Sequence, residues 1–335
     1  MKQTKLFLVS IILLLLSACR PIQPDMTPPA TATTPTITAT VVSTVALPTA
    51  QPSPTADEHS DPTTLLASYI DAINHKQYAR AYGYWETPPN NQSLAQFTQG
   101  FADTAAVDLL INPPARLEGA AGSVYASVPT VLVATHTDHI VYIFSGCYVA
   151  RRSNQGIAPE NNPWLLYRGD LKAAAADTNL ITLLQQGCSD APPQQGAYNN
   201  LKTPVDLLAS FVDALNRKEY RRAYNDWETP PNQQTFDQFA KGYADTTGVF
   251  LAVHLPTQND AGAGQQYAGI PAWLVATHKD GAKPNFVGCY VAHRPNPNIP
   301  GAPKGGEWHL SRATVRSLPN GADPIGLLNQ ACMAP

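Results

Sequence analysis

The chain has 335 residues, with 22 Lys+Arg against 25 Asp+Glu and a formal charge of −3. Charged residues make up only 14%, with no basic excess and no acidic tail, which excludes a nucleic-acid partner on charge grounds. The length suits about two domains of ~150 residues, and five cysteines leave one without a partner of its own kind.

Residues 1–18 read as an export leader. Lys2 and Lys5 precede an apolar run from Phe7 to Leu16, too short for a spanning helix of ~20 residues. It ends in Leu16-Ser17-Ala18-Cys19, which resembles the lipobox of bacterial lipoproteins. That resemblance implies a lipidated Cys19 as the new N-terminus. The expected address is the outer face of the cell membrane or the cell envelope, with the membrane as a partner through the lipid. Residues 19–58 then carry the chain outward. From Thr27 to Ala56 there is no charge, aromatic ring or glycine, so the segment cannot offset its ordering entropy. It should be an extended, disordered linker of on the order of 100 Å, from ~38 residues at ~3.1 Å each.

Everything after it is one unit written twice. Leu65-Leu-Ala-Ser68 recurs as Leu207-Leu-Ala-Ser210, Trp85-Glu-Thr-Pro-Pro-Asn90 as Trp227-Glu-Thr-Pro-Pro-Asn232, and Gly146-Cys-Tyr-Val-Ala150 as Gly288-Cys-Tyr-Val-Ala292. The offset is 142 throughout, and roughly half of some ninety aligned positions are identical. Beyond Arg152 and Arg294 the second copy carries two extra residues, so Trp164 matches Trp308. The expected domains are 59–190 and 203–335, joined by a linker at 191–202 that is rich in Pro and Gln.

Within the first copy, Asp61-Pro62 caps a helix bearing Leu65, Leu66, Tyr69, Ile70 and Ile73. A short helix with Tyr78, Ala81, Tyr82 and Trp85 follows and stops at Pro88-Pro89. Ser93 caps a third helix, with Leu94, Phe97 and Phe101 on one face. Strand patterns cover 106–111, 123–136, 140–151 and 164–172, and Leu180 to Gln186 closes the copy as a helix. The expected class is α+β: helices packed on a curved antiparallel four-strand sheet, twice over. In the second copy Pro284 stands where the first has Tyr142, so its third strand should start near Asn285. That leaves copy one with the larger apolar surface.

The run from Leu65 to Trp85, then Phe97 to Thr104, then a strand meander resembles the nuclear transport factor 2-like superfamily. The resemblance implies a cone of helices and bent sheet. It implies no single chemistry, because that superfamily holds isomerases and dehydratases beside scaffolds. Both alternating sets of Pro129-Thr-Val-Leu-Val-Ala-Thr135 are apolar or small, so the outer sheet face should also be covered. Relatives with this cone often dimerise through that face, and the tandem would then form a pseudo-dimer within one chain.

Cys147, Cys188, Cys289 and Cys332 fall two per copy at matching places, and four cysteines allow three pairings. The repeat selects Cys147–Cys188 and Cys289–Cys332, since each copy then closes its own loop in an oxidising compartment. A zinc site is the alternative, but no Cys-x-x-Cys or adjacent His supports it. The polar or aromatic positions shared by both copies are Trp85/Trp227, Glu86/Glu228, Asp103/Asp245 and His136/His278. A buried carboxylate beside an aromatic ring or His could act as a general base. The simpler reading places all eight in turns and strand ends. Neither a metal motif nor a phosphate-binding loop is present, and no cofactor is predicted. The expected function is a non-catalytic binding or scaffold lipoprotein for a small apolar ligand, a glycan or a protein. The alternative is an isomerase- or hydrolase-like enzyme using a carboxylate in the cone.

Overall fold

A computed structural model describes residues 59–120, 122–154, 162–262, 264–297, 306–319 and 322–333. The expected leader, Cys19 and the linker lie outside the described residues.

Asp61 caps α1 (Pro62–Asn74) by accepting the Thr63 amide at 2.7 Å, and Leu65, Leu66 and Ile73 are fully buried. At its far end the Asn74 amide bonds both backbone groups of Val107, at 3.0 and 2.8 Å. The first helix is thereby pinned to the first strand. Then follow α2 (Tyr78–Gly83), α3 (Leu94–Gln99), β1 (Thr104–Ile111), β2 (Arg116–Ala120), β3 (Ser123–His136), β4 (Val141–Ser153), β5 (Leu165–Ala174) and α4 (Leu180–Gln186). The C-terminal half runs through α5 (Pro204–Asn216), α6 (Tyr220–Asn225), α7 (Phe236–Gly242), β6 (Thr246–Leu255), β7 (Gln258–Gly262), β8 (Gln265–His278), β9 (Asn285–Pro295), β10 (His309–Ser317) and α8 (Pro324–Ala331).

The four-strand sheet expected for each copy is corrected on two counts. First, β2 and β7 add a short strand to each half. They pair with the first part of β3 and β8, while β1 and β6 take the remainder. Pro113-Pro114 separates β1 from β2 by removing two ladder donors. Second, all ten strands join in one antiparallel sheet of order β10-β9-β8-β6-β1-β3-β4-β5, with β2 and β7 alongside β3 and β8. The join is an antiparallel ladder between β1 and β6: Leu109↔Leu255, Leu110↔His254 and Ile111↔Val253. Leu109, Leu110 and Ile111 are all fully buried, as expected of a strand with both faces covered. The β9 strand begins at Asn285, the residue expected from Pro284, whereas β4 begins at Val141.

Each face of the sheet has its own apolar layer. One gathers Leu65, Leu109 and Ile111 with Leu208, Val253 and Leu310. On the other, Leu110, Val131 and Ile143 join Trp273 and Val287 beneath Leu184 of α4 and Leu328 of α8. Both apolar layers therefore run across the seam. Cys147 bonds Cys188 and Cys289 bonds Cys332, tying β4 and β9 to the chain just past α4 and α8.

Candidate functional site

The two tryptophans are positioned by backbone. Trp85 bridges Leu166 as α2 ends, and Glu86 N–H donates to Leu166 C=O at 2.9 Å; Trp227 and Leu310 repeat the arrangement. Each indole is thereby turned inward. Trp85 meets Tyr69 edge-on at 5.9 Å and Tyr148 at 6.2 Å, and Trp227 meets Phe211 at 5.8 Å and Tyr290 at 6.4 Å. Burial pushes the Tyr69 phenol up to about 12 and raises Tyr148 and Tyr290 as well. The Trp227 indole N–H is buried without a hydrogen-bond partner. These rings fill the interior instead of lining an opening.

Glu86 and Glu228 turn the other way, to the surface. Glu86 pairs with Arg151, whose Nε donates to Ser123 Oγ at 3.0 Å. Glu228 pairs with His293. The structure also joins two predicted residues at the turn end of the β3–β4 hairpin, where His136 Nδ1 lies 3.3 Å from Asp103 Oδ2. The Asp103 side chain is 66% exposed and His136 21%. Tyr142 packs on the imidazole at 4.3 Å, and beside it Ile140 and Val141 are 51% and 43% exposed. Such a carboxylate orients an imidazole, but at the surface rather than in the low-dielectric interior that acid–base work exploits.

In the C-terminal half Asp245 C=O accepts Lys279 N–H at 2.9 Å, and the apolar hairpin tip is replaced by Ala282-Lys283-Pro284. The predicted residues do not converge. Arg151, which holds Glu86, and Val141, beside the His136 pair, sit ten residues apart on β4, about 30 Å along the strand.

Sequence reasoning missed the buried carboxylates, Asp226 and Asp206 among them. Asp226 is 3% exposed, Oδ2 has no hydrogen-bond partner, and burial pushes the group up to about 7 against the opposing charge of Arg222. It aligns with Tyr84, so the signal was an acid in place of an aromatic ring between two matched copies. Asp206 accepts the Tyr198 hydroxyl at 2.6 Å and the Asn200 amide at 2.9 Å. Burial, and then the charge of Asp61, push Asp206 up to about 7. An open crevice of about 350 Å³ lies between the β1–β2 bend and residues 189–194, with Arg116 on its wall donating to Cys188 C=O at 2.9 Å. It contains none of the predicted residues. Among the described residues no group of His, Cys, Asp and Glu could hold a metal ion, and no helix is long and apolar enough to cross a membrane.

No protein-family model and no curated protein matches the chain. A search of solved structures returns a conserved hypothetical protein from Mycobacterium tuberculosis, described as having a double hotdog fold. It is 10% identical over 76% of this chain and 91% of that one, at a TM-score of 0.16. A superposition so poor carries no argument about fold or function.

Proposed function

We propose that this protein is a lipid-anchored module of the cell envelope whose two tandem units, each nuclear transport factor 2-like, bind a partner protein without catalysing a reaction. The observation that carries the reading is the filled interior of both halves. Tyr69, Trp85 and Tyr148, and their counterparts Phe211, Trp227 and Tyr290, occupy with ring-to-ring packing the space a substrate would need. Glu86, Glu228, Asp103 and Asp245 lie at the surface, which favours recognition over general-base chemistry. Ile140, Val141 and Tyr142 form an exposed apolar tip that the C-terminal half lacks, so the partner should engage the N-terminal half. The same order of helices and strands in both halves supports the tandem reading, and the β1–β6 ladder supports a dimer-like arrangement within one chain.

The test is a photo-crosslinking side chain at Val141 in the full-length protein, expressed in its native envelope. A single adduct of defined mass, lost on Ile140→Lys, is expected. Adducts no different from those at exposed Gln99 would reject the reading. The anchor is tested separately: Cys19→Ala should release the protein from membranes or leave an uncleaved precursor.

A further inference from the structure

His293, on β9, lies between two oxygens. Its Nδ1 contacts Glu228 Oε1, and its Nε2 lies 2.6 Å from Gln265 Oε1. The ring stacks on Tyr267, with centroids 4.6 Å apart and planes 23° from parallel. With the Gln265 oxygen facing the ring, a neutral imidazole has one N–H and satisfies one of these acceptors, whereas an imidazolium donates to both. The turn that carries Glu228 and the strand that carries Gln265 are therefore held most firmly when His293 is charged.

The N-terminal half solves the same problem with a different cation. Arg151 aligns with His293, pairs with Glu86, donates to Ser123 Oγ at 3.0 Å and sits 5.9 Å over the Tyr125 ring. Positions 86, 123, 125 and 151 correspond to 228, 265, 267 and 293. The two halves thus share one four-residue cluster, with a guanidinium that is always charged in the first and, in the second, an imidazole, a group able to gain or lose its proton. The groups facing His293 are Glu228 from the turn after α6, Gln265 and Tyr267 from β8, and His309 directly across on β10. Glu228 favours the charged ring. His309, when protonated, opposes it. Arg294 is engaged elsewhere, with Gln266 and the Trp308 ring.

We propose that Glu228, His293 and Gln265 form a pH-operated latch. Protonated His293 clamps the Trp227-to-Gln233 turn to β8, and loss of the proton loosens that turn, while Arg151 keeps the matching turn of the N-terminal half fastened as long as Glu86 is ionised. The turn reports on itself, because Glu228 N–H donates to Leu310 C=O at 3.0 Å and Gln233 N–H to Pro230 C=O at 3.0 Å. This inference does not depend on the partner-binding reading.

The test is amide hydrogen exchange on the full-length chain at about pH 5 and about pH 8, corrected for the intrinsic rate, comparing residues 227–235 with 85–93. Protection over 227–235 should fall about tenfold between the two, the size of one charge-assisted hydrogen bond, with no fall over 85–93. His293→Arg should abolish the fall, and Glu228→Gln should reduce it, while His309→Gln should preserve it. Identical pH profiles for the two turns, or a fall that survives His293→Arg, would overturn the latch. A fall lost only in His309→Gln would overturn it as well, making His309 the sensor.

Discussion

His254 reaches across the seam between the two halves and places Nε2 3.0 Å from Asp108 Oδ1. Asn329 of α8 donates to the same oxygen at 3.0 Å. One carboxylate on β1 thus collects a ring from β6 and an amide from the last helix. On the other side of the seam, Asn112 donates to Leu251 C=O at 2.8 Å. Asp108→Ala would leave His254, only 6% exposed, without its acceptor. We expect a loss of about 1–3 kcal/mol, read from chemical denaturation of the full-length chain. An unchanged midpoint would show that the β1–β6 ladder holds without side-chain help.

Asp226 makes stability pH-dependent with a definite sign. Its folded value of about 7 lies above the model-compound value of 3.8, so the folded chain binds the extra proton between the two. Stability falls as pH rises from about 4 to about 7, and the full penalty, on the order of 4 kcal/mol, applies above that range. Asp226→Asn should therefore raise the unfolding temperature near pH 8 and change little near pH 4. Asp206 shifts in the same direction but is present in both proteins, so the difference isolates Asp226. Equal gains at both pH values would show that packing, not charge, decides.

A methyl group at position 169 should be costly, and its removal at the aligned position cheap. A Cβ on Gly169 would lie 2.8 Å from the Tyr148 ring and 3.2 Å from Trp85. We expect Gly169→Ala to cost about 1–3 kcal/mol. The C-terminal half already carries Ala313 opposite Tyr290, so Ala313→Gly should cost no more than about 1 kcal/mol. Thermal melts of the two variants compare the halves directly.

The bridges close loops of similar size, with sequence separations of 41 and 43. Replacing Cys147 and Cys188 together by Ser should cost up to about 4 kcal/mol in the chain-entropy picture. Non-reducing peptide maps of the wild type should show Cys147 linked to Cys188 and Cys289 to Cys332. A fragment joining the two halves through sulfur would contradict the assignment.

Elements that announce themselves locally could be read from the sequence. Asp61-Pro62 fixed where α1 begins, the apolar run at 180–186 marked α4, and Pro284 predicted the late start of β9. The exposed strands β2 and β7 could not be found by hydrophobic pattern, because their residues bury almost nothing. The β1–β6 ladder rests on backbone hydrogen bonds between strands more than a hundred residues apart, which leave no side-chain signature. Its one trace is the unbroken apolar run Leu109-Leu110-Ile111, which a strand with one wet face would not carry. The candidate site was legible only in pieces. Asp103 and His136 do meet, but Trp85 and Trp227 serve the core, and the partner of Glu86 lies 65 residues along the chain.

A strand with an open side invites other strands to dock on it, and two separate sheets would present four such sides. Pairing β1 with β6 leaves two main borders, β5 and β10. Those borders bear Arg168, Asp170 and Lys172 on one, and Arg312 and Arg316 on the other, nearly all exposed. Charged borders resist the edge-to-edge zipping that starts fibrils. Joined through β1 and β6, the two halves thus expose fewer open strand edges than they would apart.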